Sequence, residues 1–418
     1  MSTDILYFDY WTRGIRHFSN IDINIRKTGM TTLLVHMGSQ RGEFPIKEQI
    51  ICNIKCKDLF FYDNNLLRML DIERPKVVLL INNQTEDKII VRVCRNLGIK
   101  TVFLMHGVLV PLENLQQLKN IFDISFKLRD RINRIPKYFK LFLQYLSAAK
   151  IKNIFDVFDP EIYLYFLRHA ILPGSSQLGQ WKYLDACADI ALVYSEEDKN
   201  LFSTIFGYSH DQIKIVGNYN LDRLFDKQFH TSKSINLLNC TKYICYIENG
   251  FSDPKITIPG WSEELVANEV ALLSDICNDF EYKLILKLHP SSDYSFILEH
   301  LANFSNIEII SECDLVELLS NASFVIGQSS TVLNTALALK KPIVILDIPP
   351  LKLKITTYSD RKLGFVVRSL DEFKSILHNA QNRRLPSLEL YKATEQFLGP
   401  IDGKSTKRIS DILLSLAR

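Results

Sequence analysis

The stretch from Lys283 to Asp347 constrains the fold of this chain most. It reads KLILKLHP, then an acidic-apolar segment, then SFVIGQSSTVLNTALALKKPIVILD. Twice an apolar run stops at small or polar residues. Leu284–Leu288 stops at His289-Pro290. Phe324–Ile326 stops at Gly327-Gln328-Ser329-Ser330-Thr331, and a helical pattern follows. Strand ends of this kind, with a helix N-terminus just beyond, form anion sites in open α/β sheets, because backbone N–H groups and the helix dipole meet negative charge there. The segment therefore points to parallel strands joined by helices, and to a substrate that carries phosphate.

The same alternation runs through most of the chain. Strand signals at Asp4–Phe8, Thr32–Met37, Lys76–Ile81 and Thr101–Met105 are interleaved with helical spacing at Phe18–Lys27 and Glu86–Leu97. Each of these helices is closed by a glycine, Gly29 or Gly98. The pattern resumes with Asp189–Tyr194, Glu196–Phe206 and Ile213–Val216. A second series runs through Tyr243–Ile247, Ser262–Phe280, Lys283–Leu288, Ile307–Ile310, Leu315–Leu319, Phe324–Ile326, Thr331–Leu339 and Ile343–Leu346, with helices from Leu370 to the end. This order predicts an α/β chain with helices on both faces of mostly parallel sheets. At 418 residues the chain exceeds one ordinary core, so two domains are expected. The pattern lapses between Arg223 and Lys242, which places the domains at 1–232 and 233–418. Leu115–Leu172 departs from the alternation. It is helical in spacing and mixes Phe, Tyr and Leu with Lys and Arg, with Pro136 expected to break it into two helices. It reads either as a helical layer over the first sheet or as an amphipathic face for an anionic membrane, although Asp123, Asp130 and Asp156 dilute its charge.

Apolar residues make up 47% of the chain and charged residues 23%, with a net charge of +3, so nothing in the charge calls for nucleic acid. No uncharged apolar run reaches the ~18 residues of a spanning helix, and MSTDILYFDYW lacks the pattern of a signal peptide. The eight cysteines include no CxxC pair and read as buried thiols of a reducing compartment. A cytoplasmic location is expected, with peripheral contact at the inner face of the cell membrane.

Candidate chemistry collects at strand ends. Ser329, Ser330 and Thr331, with Gly327 before them, offer hydroxyls and backbone N–H groups to phosphate oxygens; an ordinary helix cap uses the same residue types. His289 follows a strand, with Pro290 fixing its turn, and Lys287 lies two residues back on one strand face. Glu248, before Asn249 and Gly250, is placed to act as a general base or nucleophile, with Asp253 as the lesser alternative. His106-Gly107 ends a strand of the first domain; Arg13, Gly14 and Asn218 end others. The sequence has no GxxxxGK[ST], no GxGxxG after the first strand, no HExxH and no DxD, which speaks against a nucleotide-driven motor, a nicotinamide enzyme and a metal–diphosphate transferase.

These residues resemble the glycosyltransferases built from two facing Rossmann-like domains, the GT-B fold. More narrowly, the chain is similar to the bacterial enzymes of capsule and lipopolysaccharide assembly that use CMP-activated acidic sugars: sialyl-, polysialyl- and Kdo transferases. Their acidic-acidic-Gly, His-Pro and Ser-Ser/Thr motifs would here be Glu248-Asn249-Gly250, His289-Pro290 and Ser329-Ser330-Thr331. The resemblance implies that the acidic residue acts on acceptor or sugar, that the histidine contacts the CMP phosphate, and that the serines bind it. It implies a nucleotide-sugar donor, a glycan or lipid-linked glycan acceptor, and no metal or other cofactor. Asn249 stands where a second acid is common. Asn334 stands near the position of a ribose-binding Glu in many UDP-sugar enzymes. His106-Gly107, His289-Pro290 and Ser329-Ser330 also resemble the CDP-glycerol glycerophosphotransferases of teichoic-acid synthesis, which usually place Asp-Tyr where this chain has Gly327-Gln328. A nucleotide-sugar epimerase and a non-catalytic assembly subunit are the remaining alternatives.

Overall fold

The computed structural model describes residues 3–82, 84–107, 128–148, 166–167, 171, 187–225, 242–249, 262–289, 294–328, 330–347, 358, 361–381 and 389–418. The chain divides into two compact units. One takes in the described residues up to Asp222 together with Asp402–Arg418, and the other the described residues of Arg223–Ile401.

The first unit contains β1 (Ile5–Asp9), α1 (Ile15–Arg26), β2 (Thr32–His36), β3 (Gln49–Ile51), β4 (Ile54–Asp58), α2 (Leu66–Glu73), β5 (Val77–Leu80), α3 (Thr85–Leu97), β6 (Lys100–Leu104), α4 (Leu128–Ala148), β7 (Ile190–Val193), α5 (Glu196–Phe206) and β8 (Ile213–Ile215). Its strands lie in the order β3-β4-β2-β1-β5-β6-β7-β8. All neighbours pair in parallel except β3 with β4. The strands β1 and β5 are buried along their whole length, as a sheet covered on both faces requires.

The second unit contains β9 (Tyr243–Ile247), α6 (Glu263–Asp279), β10 (Lys283–Lys287), α7 (Ser295–Leu301), β11 (Ile307–Ile310), α8 (Leu315–Asn321), β12 (Phe324–Gly327), α9 (Val332–Ala338), β13 (Ile343–Leu346), β14 (Phe365–Val367), α10 (Leu370–Gln381) and α11 (Glu389–Leu398). Its strands lie in the order β11-β10-β9-β12-β13-β14, and all pairs are parallel. One sheet face packs Ile244, Tyr246, Leu284, Leu286 and Ile326 against Val266, Val270, Leu273 and Cys277 of α6 and Phe373 and Leu377 of α10. Full burial of each such aliphatic side chain stabilises by about 1.5–3 kcal/mol. Each sheet has a point where successive connections leave in opposite directions, between β1 and β5 in the first and between β9 and β12 in the second. Ligands of open α/β sheets bind at the carboxyl ends of strands at such points.

Several expectations need correction. Pro136 does not divide its segment, because Leu128–Ala148 is one helix with the proline inside. A proline there forfeits one helix hydrogen bond. Packing offsets the loss: Tyr138, Leu141, Phe142 and Tyr145 are buried, and Gln144 ties α4 to the start of α2 by accepting from the Leu66 N–H at 3.0 Å and donating to the Asn64 carbonyl at 3.2 Å. The described part of the helical segment is thus a layer on the first unit; most of the rest of Leu115–Leu172 lies outside the described residues. No helix among the described residues is long and apolar enough to cross a membrane. Three strands, β3, β4 and β14, had no sequence signal. Of these, β3 and β4 form a hairpin through Cys52 and Asn53, both at positive φ (50° and 62°).

The final helix also departs from expectation. Helix α12 (Ser405–Ala417) belongs to the first unit, whereas the sequence pattern carries the second domain to 418. Its buried Ile409 and Leu413 account for the pull, and the Asp222 carboxylate accepts from the Ser405 and Thr406 N–H groups at 3.1 and 2.6 Å. That capping bond satisfies donors which a helix start otherwise leaves open. Asp222→Ala is expected to cost about 1–2 kcal/mol and Leu413→Ala about 2–5 kcal/mol in urea denaturation, and an unchanged midpoint in both would refute the anchoring role.

Candidate functional site

The carboxyl ends of β10, β9 and β12 lie side by side in register. Lys287 pairs with Ile247, and Ile326 pairs with Tyr246. Leu288, Glu248 and Gln328 therefore stand at one level of the sheet edge, with His289 and Asn249 one residue further out. The parallel ladder continues past the strands, since the Glu248 N–H donates to the Lys287 carbonyl at 3.0 Å and the Leu288 N–H to the Ile310 carbonyl at 2.9 Å.

Glu248 and His289 meet through a residue that the sequence reading did not single out. The Tyr294 hydroxyl donates to Glu248 Oε2 at 2.5 Å and accepts from the His289 N–H at 2.8 Å. Glu248 is buried at 2% exposure. The carboxylate thus orients a phenol, and the phenol fixes the backbone at the histidine. A tyrosine five residues after His289 carries no local signal, because only the fold of the second unit brings it to Glu248. Glu269 of α6 is a second buried carboxylate nearby. It accepts from the Tyr246 hydroxyl at 3.3 Å, and burial pushes its pKa up to about 7.

Lys287 turns its ammonium to the Leu288 and Ser311 carbonyls, at 2.7 and 2.8 Å, and so ties the ends of β10 and β11 together. Gly327 permits close packing of α9, since a Cβ there would meet Leu333 Cδ2 at 3.2 Å. Ser330 Oγ accepts from the Val332 N–H at 3.3 Å, and the Ser330 and Thr331 carbonyls accept from the Leu333 and Asn334 N–H groups. The first-turn donors of this short helix are therefore engaged by the motif itself. The Tyr358 hydroxyl lies 2.9 Å from both the Ser330 carbonyl and Asn334 Oδ1. The hydroxyl has one proton to share between these two acceptors. Gly250, Asp253, Pro290 and Ser329 lie outside the described residues.

Between β9 and β12 the Asn249 Nδ2 donates to Gln328 Oε1 at 2.6 Å. Asn249 Oδ1 and Gln328 Nε2 are both buried without a partner among the described residues. An orphaned buried polar group costs about 1–3 kcal/mol. Gln328, only 4% exposed, is a site residue that the motif reading passed over.

The first unit has a matching feature at its own crossover. Asn82, just after β5, donates to Asp9 Oδ1 at 2.8 Å, and the Tyr10 N–H donates to the same oxygen at 2.6 Å. Gly14 makes room for this carboxylate, since a Cβ there would lie 1.2 Å from Asp9 Oδ2. Burial pushes Asp9 up to about 6, with Glu43 adding to the rise against hydrogen bonds from the Tyr10 and Trp11 N–H groups and Asn82. His106 follows β6, and Gly107 supplies the positive φ (80°) of its turn. The His106 and His17 rings meet edge to face, with centroids 4.1 Å apart, and the Tyr219 hydroxyl is 3.1 Å from His17 Nδ1. Burial, with His106 beside it, depresses His17 to about 3. Loss of water on its covered face lowers His106 as well. The pair is neutral near pH 7 and offers hydrogen bonds rather than positive charge. Asn218 is buried and accepts from the Asn220 N–H at 3.1 Å, a turn contact.

No family model matches the sequence, and no curated protein matches it. Solved structures do resemble it. A UDP-GlcNAc 2-epimerase from Neisseria meningitidis, bound to UDP-GlcNAc, is 14% identical with TM-score 0.56, over 99% of this chain and 100% of that one. A glycosyltransferase of kitacinnamycin is 10% identical with TM-score 0.57, over the whole of both chains. The wall teichoic acid polymerase TagF is 13% identical with TM-score 0.53, over 99% of this chain and 89% of that one. Identities this low establish the fold: two Rossmann-like α/β units of the GT-B kind.

Two outcomes test this geometry. Tyr294→Phe removes the shared hydroxyl and is expected to lower stability by about 1–3 kcal/mol in chemical denaturation; stability equal to wild type would show that the bridge does not hold the turn. Asp9 has a folded pKa of about 6, above its ordinary 3.8. The native state therefore binds more protons between these values, and its stability falls as pH rises from about 4 to 6. Asp9→Asn is expected to flatten that part of the melting-temperature profile, and a profile superimposable on wild type would disprove the assignment.

Proposed function

We propose that this protein is a metal-independent glycosyltransferase that moves an acidic sugar, of the sialic acid or Kdo type, from a CMP donor to a glycan hydroxyl in surface-polysaccharide synthesis. One observation carries the reading. The three motif-bearing strand ends, Glu248-Asn249, His289 and Ser330-Thr331, stand on adjacent strands at the crossover of the second sheet. In this reading the donor nucleotide binds the second unit. His289 and the Ser330 and Thr331 hydroxyls meet the single phosphate of the CMP leaving group, whose charge grows as the glycosidic bond breaks. Glu248 and Tyr294 hold His289 in place, and Glu248 is the carboxylate at this strand end among the described residues. The solved structures with nucleotide-sugar ligands support a nucleotide-linked donor.

A second reading is favoured by the likeness to the teichoic acid polymerase together with the His106-Gly107 turn. There the donor is CDP-glycerol, and phosphorus rather than carbon is attacked. Incubation with CMP-sialic acid, CMP-Kdo or CDP-glycerol and a glycan acceptor separates the two. The first predicts CMP release from a CMP-sugar, and release from CDP-glycerol alone would select the second. His289→Ala and Ser330→Ala are expected to cut turnover by about 10²-fold or more with the melting temperature retained. Full activity in both variants would remove the phosphate-site assignment.

A further inference from the structure

The amide pair between β9 and β12 is unusual for a protein interior. Asn249 and Gln328 satisfy one another once, through Nδ2 and Oε1, and each keeps a buried atom with no partner among the described residues. The amide orientation does not alter the outcome. If both amides are flipped, Gln328 Nε2 donates to Asn249 Oδ1, and an Asn249 donor and a Gln328 acceptor remain. Either way the pair offers one donor and one acceptor side by side. It does so at the crossover of the second sheet, where open α/β folds bind ligands, and two residues before Ser330.

A phosphate or carboxylate is a poor partner for such a pair. An anion presents acceptors only, so the unpartnered amide oxygen would face negative charge. The complementary group is neutral and carries a donor beside an acceptor, such as vicinal hydroxyls or an acylamino group. We infer that Asn249 and Gln328 form a hydrogen-bonding clamp that reads a neutral hydroxyl or acylamino edge on the transferred portion of the donor, while the nucleotide phosphate is bound elsewhere at the same sheet edge. This rests on the proposal that the second unit binds a nucleotide-linked donor. It adds the residues that select what the nucleotide carries.

The test is calorimetric binding of CMP, UDP, CMP-sialic acid, CDP-glycerol and UDP-N-acetylglucosamine to wild type, Gln328→Met and Asn249→Ala. Methionine keeps the length of the glutamine without its polar atoms, and the alanine variant provides a second route should one protein fold poorly. Wild type is expected to bind one nucleotide conjugate more tightly than the bare nucleotide. Each variant is expected to lose about tenfold for that conjugate, the scale of one hydrogen bond, with the bare nucleotide unchanged. Equal losses for conjugate and bare nucleotide would mean that the pair reads the base or phosphate, which overturns the inference. Unaltered binding of every probe, with or without a lowered melting temperature, would make the pair purely structural and overturn it too. Wild type that binds none of the five probes would instead refute the proposed donor site on which the inference depends.

Discussion

The parallel pairing of β9 with β10 on one side and β12 on the other is the constraint on which the second unit depends. It fixes the register to the residue, with Lys287 beside Ile247 and Ile326 beside Tyr246. A slip of one residue would turn Tyr246, Leu286 and Ile326 out of the core they share with α6 and α10. Because the strands cannot slip, their ends cannot either. Glu248, His289 and Gln328 are therefore held in place by hydrophobic packing several residues away.

The two units solve the same problem with different chemistry. Each sheet reverses its winding direction beside its first strand, and each spans that gap with a polar side-chain bond, Asp9 to Asn82 in one and Asn249 to Gln328 in the other. In the first unit the bond leaves an acid that titrates near 6. In the second it leaves a neutral donor and acceptor. Both arrangements hold polar groups at the sheet edge at a cost that a purely structural core avoids by using apolar residues.

Much of the architecture was legible in the sequence, and the reason is periodic burial. Runs such as YICYI and FVIG are apolar throughout because parallel strands are covered on both faces, and their spacing with helical stretches leaves few alternatives. Short elements escaped. The strand IKCKD alternates lysines with buried residues, and FVV has three positions, too few to show a period. The unbroken helix across Pro136 was misjudged because its stability comes from Tyr138, Leu141 and Phe142 in the core, which a local rule about proline does not weigh.

At the site, the sequence by itself determined which residue types end the strands: an acid with an amide, a histidine before proline, and a run of hydroxyls. Strand ends are local, and local chemistry marks them. Only the tertiary structure decided their partners. Tyr294 reached Glu248 and His289, Asn249 met Gln328 across 79 positions of sequence, and Lys287 turned to the Leu288 and Ser311 carbonyls. The final helix likewise joined the first unit through Asp222, at a separation of 183 residues. Contacts of that range are set by how the sheet winds and which faces must be buried, and neither is written in the residues on either side of a motif.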